Sequence, residues 1–358
     1  MHRLCILLTL ALFSGCDDAS SDDPPRSDAE PIADAMPDSG DPQVDMGTPD
    51  ATSPDAGPPE TDTWRRPENR TACDDGYGRP EETGTLSSGL KEISGLATSA
   101  LGPDRLWAHN DSGDEARLYG LDTEGRVVEQ VTLLRKDGSS VTAVDFEDLA
   151  AAPCPDGNGA CLWVADIGDN PMNRDGEDRL EPRLYIAREP PPGIDTLEVD
   201  WHITLDYPRA PMDSEALVVA PDGQRFAIIE KIDDAEAEVL LSEGVLPTEG
   251  TLSMVSVGRL RSPGVQVERG RMITAADLHP TGTRLAVRVY TGTFEATLDG
   301  GFDALRAPED LTFERVALGP LSEPQGEAVT YDGLGTGLWT ASESDDTPQP
   351  LHHYPCQD

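Results

Sequence analysis

Three glutamates stand directly before short apolar runs, and their repeated spacing makes them the best candidates for chemistry. They are Glu147 in DFEDLA, Glu215 in DSEALV and Glu327 in QGEAVT. If the fold brings them together, they cannot all stay ionised unaided, because like charges raise one another's pKa. A hard cation is the simplest compensation, and calcium takes about six to eight oxygen ligands in proteins.

The same pattern occurs twice more, with other residues at the equivalent position. ISGLA aligns Ser94 with the glutamates, and ITAADL aligns Ala276 with them. Asp166 or Asn110 could add a further oxygen ligand. The predicted calcium ligands are Ser94, Glu147, Glu215 and Glu327. The alternative is that each glutamate pairs with a backbone amide or with a cation, for which the candidates are His109, Lys231 and Arg288.

Proton transfer near neutral pH would need a different group. His109 is the histidine that the alignment places on the same face, and imidazole titrates in this range. Asp166 is the second candidate for a catalytic role, and the alternative for His109 is a structural histidine bonded to Asp111. The sequence contains no Gly-x-Ser-x-Gly elbow, His-Glu-x-x-His pair or phosphate loop. The residues predicted to line the pocket are Asn110, Asp111, Asp169, Asn170, Glu230, Arg288 and Glu343.

The elements that position these residues are short β-prone runs separated by Gly, Pro and Asp, without any long segment of helical period. This texture indicates an all-β fold, and a repeat of about 50 to 70 residues is typical of blades. We predict a β-propeller of four-stranded blades, five in number, with six as the alternative. Trp107, Trp163 and Trp339 occupy equivalent second-strand positions and are predicted to pack between blades. The predicted first strands are 93–98, 147–152, 215–220, 273–279 and 327–332.

The fifth repeat is one strand short, and a β-prone stretch at 83–90 is available to complete it. That strand would pair beside 350–354 and close the ring, so that no edge stays open. Four cysteines remain after the N-terminal segment, and they allow three pairings. Cys154 and Cys161 flank one turn, and Cys73 and Cys356 bracket the folded region. A zinc site is the alternative, although no Cys-x-x-Cys pair is present.

The N-terminus has the form of a secretory signal, with Arg3 before a short apolar run and a small-residue site. The sequence LFSGC resembles a bacterial lipobox, which implies that residues 1–15 are removed and Cys16 carries a lipid. Residues 17–62 hold 14 acids, nine prolines and the single base Arg26, so we predict a disordered tether across 16–72. The propeller domain is predicted at 73–358, in an extracytoplasmic protein attached to a membrane through its lipid.

The formal net charge of −41 disfavours nucleic acid and anionic lipid surfaces as partners. It favours solubility and attraction for cations. Adaptation of the surface to saline surroundings is the alternative explanation. The expected partner of the acidic face is a small-molecule or protein ligand.

As a group, several motifs between residues 92 and 345 resemble those of bacterial secreted propellers related to the phytase-like, esterase-like family. They include SGL at Ser94, HNDSGD at His109, ADIGDN at Ala165 and GEA at Gly326. The resemblance implies a propeller and, more loosely, hydrolysis of esters or phosphoesters. A second similarity, to calcium-activated nucleotidases, implies a central calcium held by Ser94 and the three glutamates.

Two functions follow as expectations. The first is a calcium-dependent phosphoester or ester hydrolase, in which the metal polarises the scissile group and His109 or Asp166 moves the proton. The second is a non-catalytic lipoprotein that binds a ligand or a protein on the same acidic face.

Overall fold

The structure is a computed structural model that describes residues 73–111, 113–169, 181–209, 212–267, 269–316, 323–344, 347 and 349–357. The predicted signal segment, the lipid site Cys16, the tether and Asn170 lie outside the described residues. Within the described ranges, no helix has the length and hydropathy needed to cross a bilayer.

The described chain is almost entirely β-structure and has a β-propeller-like fold. Its strands form sheets of four, eight, four and five strands, and consecutive strands within each repeat pair antiparallel. The first strands are buried along most of their length because other strands cover both faces. Two short 3-10 helices, Gly301–Arg306 and Pro308–Asp310, precede the last strand of the fourth repeat.

The five-stranded sheet contains the first repeat and one strand more than the predicted four-stranded blade. The short strand β9 (Thr196–Glu198) pairs parallel with β5 (Val127–Leu134) at the outer edge of the sheet. The strands of this sheet are β2 (Ile93–Thr98), β3 (Arg105–Asn110), β4 (Arg117–Asp122), β5 (Val127–Leu134) and β9 (Thr196–Glu198).

The eight-stranded sheet consists of two repeats joined along their outer strands, β10 and β14, which pair parallel. The pairing satisfies backbone groups that two separate outer edges would leave open. The strands of the first repeat are β6 (Phe146–Pro153), β7 (Ala160–Asp166), β8 (Arg183–Arg188) and β10 (Trp201–Asp206). The strands of the second are β11 (Ser214–Val219), β12 (Phe226–Glu230), β13 (Glu236–Ser242) and β14 (Glu249–Arg261).

The two remaining sheets have four strands each. One contains β15 (Ile273–Leu278), β16 (Arg284–Val289), β17 (Gly292–Thr297) and β18 (Phe313–Arg315). The other contains β19 (Gln325–Tyr331), β20 (Gly337–Glu343), β21 (Pro350–Pro355) and, from the other end of the domain, β1 (Glu81–Thr85).

The first strands contact one another in the order β2, β6, β11, β15, β19 and back to β2. Apolar clusters lie between consecutive repeats in the same order, including one between the last repeat and the first. Trp107, Trp163 and Trp339 belong to three of these clusters, as predicted, and are buried.

The N-terminal strand β1 pairs antiparallel with β21, as expected, but it spans Glu81–Thr85 rather than 83–90. After Thr85 the chain turns, and the Leu90 amide donates to the Ser87 carbonyl at 2.9 Å. Leu86 and Leu90 are fully buried in the adjoining cluster. The two leucines are therefore buried in a turn. The sequence pattern alone does not distinguish such a turn from a strand.

Both predicted disulfides are present. Cys154–Cys161 closes the hairpin between β6 and β7, and Cys73–Cys356 joins the two ends of the described domain, with Cα atoms 5.0 Å apart in each.

We predict that Cys356→Ser lowers stability without removing ligand binding. The Cys73–Cys356 bond spans 283 residues, and a native disulfide typically contributes about 2–4 kcal/mol by restricting the unfolded chain. Urea unfolding of the wild type and variant measures the loss. An unchanged midpoint would show that the bond does not constrain the unfolded chain.

Candidate functional site

The first strands of the repeats, called inner strands from here on, carry β-bulges near their starts. These bulges position the candidate site. In β6, for example, Phe146 pairs with Asp166 and Asp148 pairs with Ala165, which leaves Glu147 as the extra residue. The same geometry isolates Glu215 in β11 and Glu327 in β19. A bulge re-aims a side chain and is common beside functional sites.

The structure corrects the alignment of the fourth repeat. The bulged residue of β15 is Thr274, not Ala276, because Ile273 pairs with Val289 and Ala275 pairs with Arg288. The fourth repeat therefore presents a hydroxyl where the sequence alignment placed a methyl group. A bulge changes the count of residues along one strand, so alignment by apolar pattern alone can slip there.

Two hydroxyls of the bulges join neighbouring inner strands. Ser94 Oγ donates to the Glu147 carbonyl at 2.5 Å, and its oxygen lies 3.4 Å from Glu147 Oε2. Thr274 Oγ1 donates to the Gly326 carbonyl at 2.8 Å. Ser94 is thus adjacent to the glutamate that it was predicted to join.

Among the residues that the structure describes, two groups of carboxylates have the spacing of a metal site, and they share Glu147. The first contains Asp111, Asp145 and Glu147, and the second contains Glu147, Asp213 and Glu215; within each group one oxygen per residue lies within 4.8 Å of the others. Asp145, Glu147 and Glu215 are buried, whereas Asp111 and Asp213 are half-buried.

Asp145 and Asp213 were not predicted as ligands, although the sequence contains a signal for them. Each lies two residues before a bulged glutamate, in Asp-Phe-Glu and Asp-Ser-Glu. The corresponding residue of the fifth repeat is Gln325, an amide in place of the acid. The repeated Asp-x-Glu spacing would therefore have identified the carboxylates that join Glu147 and Glu215.

Each of these aspartates forms a hydrogen bond with a residue of the segment that follows β7 or ends it. The Asp145 amide donates to Asp166 Oδ1 at 2.8 Å, and Asp213 Oδ1 accepts from the Asp169 amide at 2.7 Å. Asp166 and Asp169, predicted as a catalytic and a pocket residue, are both buried. In this arrangement they fix the positions of Asp145 and Asp213.

The absence of a side chain at Gly168 leaves room for the carboxylates of Asp145 and Glu147. A Cβ at this position would lie within 3.0 Å of Glu147 Oε1 and Asp145 Oδ2.

We expect Gly168→Ala to push these two carboxylates apart and to weaken any divalent cation binding at least tenfold. Gly89→Ala is the matched control, because a Cβ there meets nothing within 4 Å. Calcium titration followed by calorimetry measures both. Equal affinity in the two variants would mean that the Gly168 contact does not shape the site.

Lys231 supplies a positive charge within this acidic site. Its ammonium forms an ion pair with Glu215 Oε1, and the lysine side chain is 12% exposed. Glu215 Oε2 is buried and accepts no hydrogen bond from a described residue. The pairing expected as the alternative to metal binding therefore exists for Glu215, but it uses one carboxylate oxygen only.

Glu147 is in an unfavourable position for a charge. Burial, followed by the nearby charges of Asp111 and Asp145, raises the pKa of Glu147 well above its ordinary value, and the Lys231 ammonium only partly opposes this. A bound cation would favour the ionised form of the same carboxyl.

Glu327 lies outside both carboxylate groups, although it was predicted to belong with them. Gln325 Nε2 donates to Glu327 Oε1 at 2.9 Å and also to Glu343 Oε2. Burial raises the pKa of Glu327 well above its ordinary value, Lys231 opposes this, and Glu343 adds to it. The Tyr290 ring lies 5.4 Å from Lys231 Nζ.

His109 is placed differently from the prediction. Its ring is fully buried, and Nδ1 lies 2.9 Å from the Asn110 carbonyl rather than against Asp111. A Cβ on Gly95 would collide with the imidazole, and Phe146 packs edge-on against it. Burial lowers the pKa of His109 and keeps the ring neutral. These contacts suit a structural histidine, and the role of His109 in proton transfer stays a prediction.

Arg288 is also withdrawn from the acidic face. It is 1% exposed, and its guanidinium donates to Glu323 at 2.6 Å and to Thr293 at 2.9 Å. It packs beneath Gly326, where a Cβ would collide with it. Arg288 therefore supports the Gln325–Glu327 segment from below and does not offer its charge to a substrate.

Asn110 and Glu230, also predicted as pocket residues, form hydrogen bonds with residues outside the two carboxylate groups. Asn110 Nδ2 donates to the Gly89 carbonyl and to Asp114, each at 2.8 Å. Glu230 Oε2 accepts from the Glu238 amide at 3.0 Å.

The buried Arg288–Glu323 pair gives a pH-dependent contribution to stability. Burial alone would raise the pKa of Glu323, but Arg288, His352 and Thr340 together lower it from 4.5 to about 2. A depressed acid pKa stabilises the fold above the unfolded value, and this stability is lost as the pH falls from 4.5 through about 2.

We expect Glu323→Gln to cost about 3 kcal/mol at pH 7, since each pKa unit corresponds to about 1.4 kcal/mol. The difference in stability from the wild type should narrow as the pH falls below 4.5, because the unfolded wild-type carboxyl then binds a proton while the folded one stays ionised down to about pH 2. Urea midpoints between pH 7 and pH 3 test this, with the exposed Glu314→Gln as control. A difference between the urea midpoints of wild type and Glu323→Gln that does not change with pH would contradict the lowered pKa of Glu323.

No protein-family model and no curated protein matches the chain. Among solved structures, the chain is similar to a gluconolactonase from Xanthomonas campestris at 14% identity and a TM-score of 0.43, over 78% of this chain and 90% of that one. It is also similar to a periplasmic gluconolactonase from Pseudomonas aeruginosa at 14% identity and a TM-score of 0.37, over 74% and 68%. A hydrazine synthase from Kuenenia stuttgartiensis gives 13% identity and a TM-score of 0.37, over 76% and 98%. These similarities are too remote to carry an argument about activity.

Proposed function

We propose that this protein is a calcium-binding, five-bladed propeller lipoprotein whose acidic face hydrolyses phosphoesters or carboxyl esters outside the cytoplasm. The observation that carries the proposal is the position of Glu147, which belongs to two adjacent carboxylate groups. A buried carboxylate beside other acids is unfavourable in its ionised form as long as no further positive charge compensates it. It is well arranged for a hard divalent cation.

The donor set fits calcium. Carboxylate oxygens come from Asp111, Asp145, Glu147, Asp213 and Glu215, and Glu215 Oε2 is buried and accepts no hydrogen bond from any described residue. Ser94 Oγ is close enough to Glu147 to contribute a neutral oxygen. Oxygen donors without nitrogen or sulfur favour calcium or magnesium over zinc.

A calcium ion held there would polarise a phosphoryl or carbonyl oxygen and lower the pKa of a bound water. The chain's own groups would do the rest. Lys231 lies where an ammonium can attract an anionic substrate group. Glu327 and Glu343, joined by the Gln325 amide, form a carboxyl pair that can accept and return a proton.

A closed ring of five blades would bring these groups to one face. The circular order of the first strands, the apolar clusters between consecutive repeats and the pairing of β1 with β21 support this arrangement. The lipid on Cys16 would anchor the protein to a membrane. The two disulfides suit an oxidising compartment.

Purified protein assayed on chromogenic phosphoesters and carboxyl esters, with calcium and then with a chelator, tests the activity. Calcium-dependent turnover that Glu147→Gln abolishes would support hydrolysis. Calcium binding without turnover would favour the second candidate, a non-catalytic protein that binds a ligand through the metal. The deep burial of both His109 and Asp166, the proton carriers first expected, is the observation that favours this second candidate.

A further inference from the structure

Lys231 is an unusual residue in this chain. The sequence contains three lysines, Lys91, Lys136 and Lys231, while the other basic residues are arginines. Lys91 and Lys136 are exposed. Lys231, by contrast, follows β12 directly, and its largely buried side chain reaches the carboxylates of the inner strands.

The Lys231 ammonium contacts one of the three bulged glutamates and acts electrostatically on the other two. It forms an ion pair with Glu215, and its charge also acts on Glu147 and on Glu327. The lysine therefore neutralises part of the negative charge that a divalent cation would neutralise. Its ion-pair partner, Glu215, belongs to the second carboxylate group.

The residue type matters here. An arginine would engage a carboxylate with a planar, bidentate fork, whereas a lysine is a compact point charge on a flexible stem. The Tyr290 ring, 5.4 Å from Nζ, offers an adjacent aromatic surface that can stabilise a cation. Burial, followed by the charges of Glu327 and Glu343, raises the pKa of Tyr290 and keeps its phenol neutral. The ammonium can therefore contact the Tyr290 ring when it leaves Glu215.

We propose that Lys231 is the specificity-determining residue of the cation site, a tethered competitor that a divalent ion displaces from Glu215 towards Tyr290. This inference rests on the proposed calcium site. A monovalent ion replaces one positive charge with another and gains little from the exchange. A divalent ion brings twice the charge to the same carboxylates, so its attraction to them is about twice as strong at equal distance.

The first test measures calcium affinity in Lys231→Met, which keeps an unbranched chain and removes the charge. Its dissociation constant should be at least tenfold lower than that of the wild type. Lys136→Met, the control, should bind calcium as the wild type does. Sodium chloride at about 0.1 M should stabilise Lys231→Met more than tetramethylammonium chloride at equal ionic strength. The wild type should respond equally to both salts.

The second test uses the unmodified protein and so does not depend on the variant folding. Lysine acylation followed by mass spectrometry should show that saturating calcium increases labelling of Lys231. Labelling of Lys91 and Lys136 should stay unchanged, which makes them internal controls.

The outcomes separate the two proposals. Calcium binding with unchanged or reduced Lys231 labelling, or with equal affinity in wild type and Lys231→Met, would overturn the displacement and leave the calcium site intact. Absence of binding in both proteins would overturn both proposals. Binding by Lys231→Met alone would support the competitor role in its strongest form.

Discussion

Asp148→Ala should lower the free energy of unfolding by about 3–5 kcal/mol, one of the two largest effects that we expect. Asp148 is 1% exposed on β6. Its Oδ2 accepts from the Leu217 amide at 2.7 Å and the Ala276 amide at 3.3 Å, and its Oδ1 accepts from the Leu149 amide at 2.9 Å. One carboxyl therefore joins three inner strands.

The magnitude follows from what the substitution leaves behind. Each buried donor without a partner costs about 1–3 kcal/mol, and alanine would leave three amides without their acceptor. Asp148→Asn should lose less, since its amide oxygen can still accept. Equilibrium urea unfolding followed by circular dichroism measures both variants.

The control is an aspartate that accepts similar bonds in water. Asp137 is exposed and accepts from the Ser139 amide at 2.9 Å and hydroxyl at 2.6 Å. Asp137→Ala should change stability by about 0.5 kcal/mol or less. If Asp148→Ala were equally mild, the inner strands would not depend on this carboxyl.

Much of the strand order could be predicted from the sequence because it depends on local patterns. Apolar runs and Gly, Pro or Asp turns marked β2 at its observed bounds and β15 to within one residue. The parallel pairings of β5 with β9 and of β10 with β14 could not be predicted, since the apolar pattern within a strand does not specify which outer edges of neighbouring repeats pair.

The candidate site could likewise be predicted only in part. Glu147 and Glu215 could be found because their type and spacing repeat. The positions of His109 and Arg288 could not, because they depend on which strand covers each side chain and on close contacts beneath Gly95 and Gly326. Thr274 was missed because a bulge shifted the count of residues in β15.

The other large effect should appear when calcium is added. If the ion binds the folded state alone, it stabilises the protein by RT ln(1 + [L]/Kd), or about 2.7 kcal/mol at a hundredfold excess over Kd. Glu147→Gln should remove most of this gain, because Glu147 belongs to both carboxylate groups. Glu215→Gln should remove less, since it leaves the Asp111, Asp145 and Glu147 group complete.

The apo variant should not be destabilised. The raised pKa of Glu147 means that ionising this buried carboxyl costs stability, so a neutral amide of the same shape should leave the apo melting temperature unchanged or slightly higher at pH 7. Differential scanning calorimetry with and without calcium measures both quantities, and Glu82→Gln on the exposed strand β1 is the control. General screening of the acidic surface would stabilise all variants alike, and magnesium or sodium would then act almost as well as calcium. Such a result would remove the calcium site, since only a specific ion depends on the one carboxylate that both groups share.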